Sequence, residues 1–582
     1  MLPAWAEEMR SVFRAATTSQ FILHGAIHDL VLVDAEGKVR AQSLGRFLDD
    51  VLFARFDVVV HYDRGTGVVV ARGLEEFLRF LKGYDTWNGT AYSRSPAAIP
   101  HDPVIALTVL DRFLDHCAQN GVVEGAQFVR KPIRAAVIVG YAEFIAPGGD
   151  TLQVSGRHGD ALIRLLDWGS DPSLVEGHCA TVLLTENLAD LHPALASNPY
   201  AAKVELRLPG EQELLQALNW LIAEDPAIKP LLDLPPEVVA QRLVGLSRVN
   251  LKHAVLEGVR NGRRIDAAFL VQKRRELIEK ECRGLLDFIE STLTLDALAG
   301  CVEAKGWLRD DGRLIKRGLV RSLPMGYLLC GRIGTGKTFL TTCWAGEIGI
   351  PCVVLKNFRD KWQGSTEGNL EKIFAILRAL GQVMVFIDEA DQATGRRDSG
   401  AEDGGVAGRV YAMLAKEMSD TRNRGRIIWV FATSRPDLVE VDLKRPGRLD
   451  VHIPLFPPEG ESERQELFKG LAKKVGVSPS QLPKLPKSSE LSGNEMEGLL
   501  VRALRAFDLQ EGAAEQQPME VIIRELFKEV RPMAHRDKLE LMDLLAVKEC
   551  TDARFLPTRF RKLSLEEVDR RIDELKLRLR EP

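Results

Sequence analysis

The sequence lacks the features that mark membrane-spanning, disulfide-linked and nucleic-acid-binding proteins. No apolar run in its 582 residues approaches the roughly 18 residues that a helix needs to cross a bilayer. The eight cysteines form no CxxC pair, and several lie in apolar stretches, which is typical of reduced, buried cysteines. The formal net charge of −4 is too small to indicate nucleic acid or an anionic membrane as a partner. Residues 1–8 carry two glutamates where a signal peptide would be basic and then apolar, so we expect a cytoplasmic protein.

A glycine-rich stretch in the second half of the chain, Gly331–Thr338, has the pattern GxxxxGK[ST]. It follows the apolar run 326–330, a predicted buried strand, and precedes a predicted helix over 339–348. Strand, turn and helix in this order are the context in which backbone N–H groups and a helix N-terminus cradle phosphates. We predict that Lys337 reaches the β- and γ-phosphates of a nucleotide and that the Thr338 hydroxyl is a ligand of Mg²⁺.

A second motif follows the apolar stretch Val383–Ile387, which predicts a central parallel strand. Ligands bind beyond the carboxyl ends of such strands, where Asp388 and Glu389 stand. We predict that Asp388 holds Mg²⁺ or its water, and that Glu389 orients and deprotonates the attacking water.

Two further segments carry polar groups that fit phosphoryl transfer. The predicted strand 427–433 ends before Ser434, whose side chain can sense the γ-phosphate. Arg445 and Arg448 lie three residues apart on a short segment, where unpaired guanidinium groups do not fit burial. We predict that they act as arginine fingers on the site of a neighbouring subunit; exposed surface arginines are the alternative.

The first half of the chain repeats this order of elements without the catalytic groups. The run 21–25 reads as a strand, yet no GK[ST] follows it. The strongest strand of this half, 133–141, ends on Gly140 and Tyr141 where an ATPase would place two acids. We predict a degenerate ATPase-like α/β domain used for assembly or partner binding, with no nucleotide of its own; an unrelated α/β domain is the alternative.

The predicted fold class is therefore α/β, with a P-loop module and a helical lid preceded by a second α/β domain. The predicted segments are a degenerate ATPase-like domain (1–267), a helical connector (268–290), a large P-loop subdomain (291–457), a helical lid (458–511) and a helical C-terminal extension (512–582). In the extension, 564–567 forms a capping box, and an apolar stripe over 565–579 predicts docking on the same subunit or on a neighbour.

Together these motifs resemble the classical clade of the AAA family within the AAA+ ATPases, over about residues 291–505. The resemblance is carried by GRIGTGKT (331–338), VFIDEAD (385–391), FATSRPD (431–437), LKRPGRLD (443–450) and LSGNEMEG (491–498). The two-part layout is most similar to poorly characterised AAA proteins of chloroplast and cyanobacterial genomes and their bacterial relatives, which pair a degenerate first half with one active half.

The resemblance implies an ATPase that assembles as a ring, most often a hexamer, with each site completed by its neighbour. It implies ATP and Mg²⁺ as cofactors, Thr338 and Asp388 as metal ligands, and Ser434 as sensor 1. The catalytic residues that it implies are Lys337, Glu389, Ser434, Arg445 and Arg448. The nucleotide-binding residues that it implies are Gly331, Arg332, Ile333, Gly334, Thr335, Gly336, Lys337, Thr338, Phe339 and Gly493.

The same resemblance places a pore loop at 361–364, where Lys361 and Trp362 would grip an extended polypeptide. Two departures from the family pattern weaken parts of this reading. Sensor 1 is usually Asn, so the shorter Ser434 predicts slower hydrolysis, and Gln363 replaces the usual apolar pore-loop partner.

Three functions follow as hypotheses. The first is an ATP-driven ring that remodels a protein substrate or complex. The second is a nucleotide-gated scaffold or regulatory switch with slow hydrolysis, which Ser434 and the inactive first half favour. The third, a nucleic-acid motor, is disfavoured by the near-neutral charge.

Overall fold

The computed structural model describes residues 2–35, 38–124, 127–148, 157–282, 285–289, 291, 293–356, 366–393, 404–485, 491–510, 517–529 and 535–579. The chain forms two compact units, each built around a six-stranded sheet. The first unit comprises Met1–Cys282 with Gln363–Leu380, and the second comprises Arg283–Trp362 with Gly381–Pro582. Within the described residues, no helix combines the length and the apolar character that crossing a bilayer demands.

The first unit alternates strands and helices along the chain. Its strands are β1 (Gln20–Gly25), β2 (Val31–Ala35), β3 (Lys38–Gln42), β4 (Val58–Asp63), β5 (Gly67–Arg72), β6 (Gly121–Glu124), β7 (Gln127–Arg130), β8 (Ala135–Val139), β9 (Ala180–Thr185) and β10 (Ala201–Leu206). Its helices before residue 283 are α1 (Ala4–Arg14), α2 (Leu44–Phe47), α3 (Leu74–Asn88), α4 (Pro103–Gln119), α5 (Arg157–Ser170), α6 (Pro172–Glu176), α7 (Pro193–Ala196), α8 (Glu211–Glu224), α9 (Pro236–Arg242), α10 (Arg248–Arg260) and α11 (Ala267–Glu281).

The sheet of the first unit has the strand order β10-β1-β9-β8-β4-β5, parallel except for the edge strand β5. Successive residues of a strand point to opposite faces, so a strand covered on both sides reads as a continuous apolar run. In β8, Val137 and Val139 pack into the core formed with α3, α4 and α5, whereas Ala136 and Ile138 pack into the core formed with α1 and α2. This is why the strands of this half could be recognised from their sequence.

The second unit carries the glycine-rich loop. Its strands are β11 (Leu286–Ile289), β12 (Gly326–Cys330), β13 (Cys352–Leu355), β14 (Val383–Ile387), β15 (Ile427–Thr433) and β16 (Val451–Pro454). The helices after residue 283, of which α14 clusters with the first unit, are α12 (Val302–Lys316), α13 (Lys337–Ile348), α14 (Thr366–Leu380), α15 (Ala390–Ala393), α16 (Gly404–Met418), α17 (Glu461–Val475), α18 (Gly493–Asp508), α19 (Met519–Glu529), α20 (Arg536–Glu549), α21 (Thr558–Arg561) and α22 (Leu565–Leu579).

The two sheets have the same topology. The second sheet has the order β16-β12-β15-β14-β13-β11, again parallel except for its edge strand β11. Numbering the parallel strands of each unit one to five along the chain gives the order 5-1-4-3-2 in both. The α/β fold class predicted for the two halves is confirmed, and the shared order supports the interpretation of the first half as an ATPase-like module.

Three local features differ from the sequence-based prediction. The connector helix predicted over 268–290 ends at Glu281, and Leu286–Ile289 forms an edge strand instead. The hairpin of β2 and β3 follows the first strand of the first unit, where the second unit has helix α13. Helix α19, predicted as part of the C-terminal extension, packs in one core with the lid helices α17 and α18, through Met519 and Ile523.

The C-terminal stripe docks on its own subunit, one of the two predicted outcomes. Val568, Ile572 and Leu575 of α22 are buried with Leu541 and Leu544 of α20. The same core includes Cys330 at the end of β12 and Phe456 just beyond β16. The helices α20 and α22 therefore lie against the edge of the sheet where the strands end.

Candidate nucleotide site

The glycine-rich loop has a backbone that only glycine can adopt. Gly331 has φ 145°, and a Cβ atom at this position would lie 2.2 Å from the carbonyl oxygen of Leu455. Gly334 and Gly336 have φ 82° and 84°, in the left-handed region. The turn leads directly into α13, whose first N–H groups and helix dipole face the loop. The local structure is the strand, glycine turn and helix that the sequence predicts, and its binding of phosphate stays a prediction.

The amine of Lys337 lies over this cradle. Its Nζ donates hydrogen bonds to the carbonyl oxygens of Gly331 (2.8 Å) and Arg332 (3.1 Å). Burial lowers the pKa of Lys337, and the nearby Asp388 carboxylate acts in the opposite direction. The lysine is thus held within the loop with its ammonium group beside a carboxylate.

Thr338 and Asp388 bring two hard oxygen donors together. The Thr338 hydroxyl donates to Oδ2 of Asp388 at 2.8 Å, and Oδ1 of Asp388 accepts from the Glu389 N–H at 2.9 Å. A hydroxyl and a carboxylate beside a phosphate cradle suit Mg²⁺, which takes few protein ligands and completes its shell with water and phosphate oxygens. The described residues contain no cluster of three or more His, Cys, Asp or Glu side chains that could hold a metal ion. The two residues therefore fit the predicted metal site.

Glu389 has a strained backbone, with φ 49°, and its side chain is exposed at the carboxyl end of β14. A left-handed conformation at a residue other than glycine costs free energy, and such residues concentrate at functional sites. The next strand over, β15, is tied to this turn because the Thr433 hydroxyl donates to Asp391 at 2.7 Å. Ser434 follows Thr433 and is half-buried. The predicted catalytic base and sensor thus follow neighbouring strands.

Thr433 and Asp391 are functional candidates to which sequence reasoning assigned no role. Asp391 is the last residue of the acidic motif, and Thr433 is the last residue of the predicted sensor strand. The sequence did contain a signal for this pair: a hydroxyl residue ends one parallel strand, and an acidic residue follows the end of the neighbouring strand.

The two predicted arginine fingers differ in their surroundings. The Arg445 side chain is 69% exposed, and its Nη1 lies 3.1 Å from Asp442. The Arg448 side chain is 20% exposed and donates to both the backbone carbonyl and the carboxylate of Asp442. Arg445 is therefore open to a neighbouring molecule, while Arg448 is held within its own chain. The assignment of both as fingers stays a prediction.

The start of the lid helix α18 lies beside the loop. Ser492 caps this helix in a capping box with Glu495. A Cβ atom on Gly493 would lie 3.2 Å from the carbonyl oxygen of Gly334, and one on Gly334 would lie 3.4 Å from the Ser492 Cβ. Gly493 thus permits a close approach of lid and loop, as its predicted place in the site requires.

The remaining residues predicted to bind nucleotide differ in what their side chains contact. The guanidinium of Arg332 points to Asp543 of α20, at 3.8 Å, and the Thr335 hydroxyl donates to the Arg332 carbonyl at 2.9 Å. Ile333 is exposed, and Phe339 packs at the edge of the core under α13. The contact of Arg332 with the C-terminal helices has no counterpart in the sequence prediction.

The predicted pore-loop residues, Lys361 and Trp362, lie outside the described residues. Their role therefore stays a prediction from the sequence.

In the first unit, the segment after the first strand carries an acidic side chain, whereas the corresponding segment of the second unit is the glycine-rich loop. Gly25 ends β1 with φ 100°, and a Cβ atom there would lie 2.5 Å from the carbonyl oxygen of Leu206, the counterpart of the contact at Gly331. Four residues on, the buried Asp29 carboxylate accepts hydrogen bonds from Arg248 Nη1 (2.9 Å) and the Val249 N–H (3.1 Å). These two donors open helix α10, so a carboxylate of the chain itself occupies the positive end of that helix.

The turn after the third parallel strand of the first unit is also preserved in shape. Tyr141 has φ 52° and follows Gly140, at the positions where the second unit has Glu389 and Asp388. Two residues further, Glu143 lies near Thr185, the last residue of β9, as Asp391 lies near Thr433, but the Thr185 hydroxyl donates to the Asn187 carbonyl at 3.0 Å. The described residues of this site therefore retain the shape of the turn but not the catalytic lysine, metal ligands or base predicted for the second unit.

Comparison with known proteins gives this architecture a family. Residues 327–456 match the family model described as "ATPase family associated with various cellular activities (AAA)". Residues 1–207 match "AAA+ chaperone, N-terminal Rossmann-like domain", and residues 216–283 match "AAA+ chaperone, second helical domain". The protein belongs to the AAA+ family of ATPases.

Three curated relatives illustrate the similarity. The chain is 35% identical over 200 residues to "ATP-dependent zinc metalloprotease FtsH 2" of Symbiobacterium thermophilum, covering 33% of this chain and 34% of that protein. It is 29% identical over 238 residues to "Cell division cycle protein 48 homolog" of Archaeoglobus fulgidus, covering 38% and 32%. It is 28% identical over 244 residues to "Peroxisomal ATPase pex1" of Schizosaccharomyces pombe, covering 40% and 26%. The chain thus spans about a third or less of the length of these relatives.

Proposed function

We propose that this protein is a Mg²⁺-dependent ATP hydrolase that works as an oligomeric ring and remodels a protein substrate or complex. The observation that carries the proposal is the arrangement around the glycine-rich loop. Lys337 lies within the cradle, Thr338 hydrogen-bonds with Asp388, and Glu389 extends from the adjoining turn. The family model over 327–456 supports the same activity.

Each side chain has a distinct task in this proposal. The N–H groups of the loop and the Lys337 ammonium bind the phosphates of ATP. Thr338 and Asp388 hold Mg²⁺, which when bound neutralises charge on the phosphate oxygens. Glu389 accepts a proton from the attacking water, a role for which its exposed carboxylate on a strained turn is available. Ser434, at the end of the neighbouring strand, orients that water.

The oligomeric part of the proposal depends on Arg445. An exposed guanidinium on the segment that leads into β16 contributes little to the stability of its own chain. Placed against the γ-phosphate of a neighbouring site, it would stabilise the charge of the transition state. From the family resemblance we propose a homo-oligomer, with a hexamer as the expected size. From the composition we propose a cytoplasmic location.

The steady-state ATPase rate per subunit, measured against protein concentration, tests the proposal. We expect the rate to rise with concentration for the wild type, because each site needs a second subunit. Glu389→Gln should abolish hydrolysis while ATP binding persists. Glu440→Gln, which changes a carboxylate to which the proposal gives no role, is the matched control and should hydrolyse as the wild type does. A rate that is independent of concentration would contradict the shared site.

A nucleotide-gated scaffold is the second candidate function. The observation that favours it is the first unit, which keeps the strand order and turns of an ATPase while Gly140 and Tyr141 replace the acids. Such a protein would hydrolyse ATP slowly, and Trp362→Ala would leave every activity unchanged. A remodelling ring instead predicts that Trp362→Ala uncouples hydrolysis from unfolding of a tagged test substrate.

A further inference from the structure

The helices α20 and α22 contact three of the segments that build the nucleotide site. Asp543 of α20 faces Arg332 in the glycine-rich loop, with 3.8 Å between Oδ2 and Nη1. Glu549, at the end of α20, pairs with Lys444, which precedes Arg445, at 2.5 Å. Lys576 of α22 lies 3.5 Å from Asp437, three residues after Ser434.

All three contacts are shielded from solvent. The Asp543 and Arg332 side chains are 8% and 20% exposed, and those of Lys444 and Glu549 are 11% and 21% exposed. A buried ion pair contributes little net stability, because the desolvation of both charges offsets their attraction. The apolar core that includes Ile572 and Cys330 already joins both helices to the sheet. The ion pairs therefore call for a role other than docking.

An internal comparison supports the same conclusion. The pair of Lys548 and Asp569 joins α20 to α22 at 2.6 Å, with both side chains about half exposed. Among the described residues, neither side chain forms a hydrogen bond or an ion pair with the loop, the sensor segment or the arginine segment. The shielded pairs of the same two helices all lead to the nucleotide site, while this exposed pair remains within the helices.

We propose that α20 and α22 position the nucleotide site of their own chain, with Asp543 acting on the loop through Arg332 and Glu549 acting on the arginine segment through Lys444. Lys444 is well placed to transmit this effect, because its Nζ also donates to the Pro436 carbonyl of the sensor segment at 2.9 Å. Glu549 additionally lies 3.4 Å from His452 in β16, which fixes the other end of the arginine segment. Asp543 and Glu549 are thus positioning residues that touch no substrate themselves.

The two contacts predict different kinetic effects. Loss of the Asp543 carboxylate frees Arg332 and loosens the cradle, so it weakens ATP binding. Loss of the Glu549 carboxylate frees Lys444 and the segment that carries Arg445, so it slows the chemical step in the adjoining subunit. A merely structural role would lower the fraction of protein that binds nucleotide and leave both KM and the turnover of each nucleotide-binding site unchanged, so kcat is taken per bound nucleotide.

The test uses the full-length chain with Asp543→Asn, Glu549→Gln and, as the matched control, Asp569→Asn. We expect Asp543→Asn to raise KM for ATP by about threefold to tenfold with kcat within about twofold, and Glu549→Gln to lower kcat by a similar factor with KM unchanged. Asp569→Asn should match the wild type. Lys444→Gln combined with Glu549→Gln should be no slower than either change alone, because both act through one contact. Kinetics of both variants equal to those of Asp569→Asn would overturn the inference.

This inference rests on the proposed function, and a binding measurement separates the two. Should the wild type fail to hydrolyse ATP, the proposed activity is wrong, and the same variants are compared by calorimetric titration with Mg²⁺ and ATP. Weaker binding by Asp543→Asn than by Asp569→Asn then supports the positioning role of Asp543, and equal binding overturns it. Circular dichroism shows whether Asp543→Asn folds. If it does not, the more exposed Glu549 decides whether the inference stands, through Glu549→Gln and the double variant with Lys444→Gln.

Discussion

Tyr141 and Glu389 occupy the same place in two sheets of the same strand order, and both have a left-handed backbone, with φ 52° and 49°. Each lies two residues beyond the third parallel strand of its unit. The turn that presents a catalytic carboxylate in the second unit therefore presents an exposed aromatic ring in the first.

The first prediction concerns the number of nucleotides bound. Because the first unit has Asp29 and Tyr141 in place of phosphate-binding and catalytic groups, we expect one ATP per chain. Lys337→Ala should abolish this binding, since no second cradle remains. Equilibrium dialysis with Mg²⁺ and a non-hydrolysable ATP analogue measures the stoichiometry. Tyr141→Ala serves as the control and should still bind one, whereas nucleotide retained by Lys337→Ala would show that the first unit also binds.

The second prediction separates the two arginines. Arg445→Ala should reduce the ATPase rate by a factor on the order of 10³ without lowering thermal stability, because its side chain is exposed. Arg448→Ala should reduce the ATPase rate and, in addition, lower thermal stability, because Asp442 then loses the less exposed of its two arginine partners.

A mixing experiment checks that Arg445 acts on another subunit. Glu389→Gln supplies an intact arginine and an inactive site, and Arg445→Ala supplies the reverse. If the site is shared, the mixture should hydrolyse ATP although each variant alone does not. A mixture that is as inactive as its components would place the action of Arg445 within its own chain.

The third prediction concerns the contact of Asp29 with the start of helix α10 in the first unit. Asp29→Ala removes a buried partner of Arg248 and the acceptor of the Val249 N–H. Breaking a buried ion pair from one side costs about 3–5 kcal/mol, and the remaining contact of Arg248 with Glu213 reduces this cost. Hydrogen exchange of helix α10 should accelerate. Glu213→Ala, at a half-exposed side chain, should cost less than about 1 kcal/mol. Equal exchange in the two variants would show that Asp29 does not stabilise the start of α10.

The fourth prediction concerns pH. The pKa of Asp543 is raised to about 6, chiefly by burial and to a smaller extent by the charge of Glu540. The positive charges of Arg332, Arg559 and Lys337 act in the opposite direction. Compared with an unfolded value of about 3.9, the raised pKa means that Asp543 favours the folded state below about pH 4, and that this contribution is lost as the pH rises through about 6.

Urea unfolding of the wild type and Asp543→Asn, from pH 4.5 to 7.5, measures this effect. Relative to the variant, the wild type should lose about 2 kcal/mol of unfolding free energy across this range, since one pKa unit corresponds to about 1.36 kcal/mol and part of the loss falls below pH 4.5. The difference between the two proteins isolates Asp543 from the other titrating groups. A constant difference across the range would show that Asp543 has an ordinary pKa.

The sequence predicted best what depends on local pattern. Strands such as Val383–Ile387 are buried on both faces, so they read as apolar runs, and the residues that follow them must meet at one edge of the sheet. The contact of Arg332 with Asp543 could not be predicted, because it joins residues 211 positions apart (543 − 332) through the docking of α20. The end of α11 was missed for a similar reason: Leu286–Ile289 becomes a strand only by pairing with β13.

Gly25 of the first unit affects how mutations in the glycine-rich loop of the second unit should be interpreted. It lies in a unit whose described residues have no lysine at the cradle position, yet it has the same conflict with a neighbouring carbonyl oxygen as Gly331. The glycine at the end of the first strand is therefore a requirement for folding this sheet, whether or not a nucleotide binds. An alanine at Gly331 that abolishes activity would accordingly report on the assembly of the sheet edge, and only substitutions further along the loop can report on recognition of phosphate.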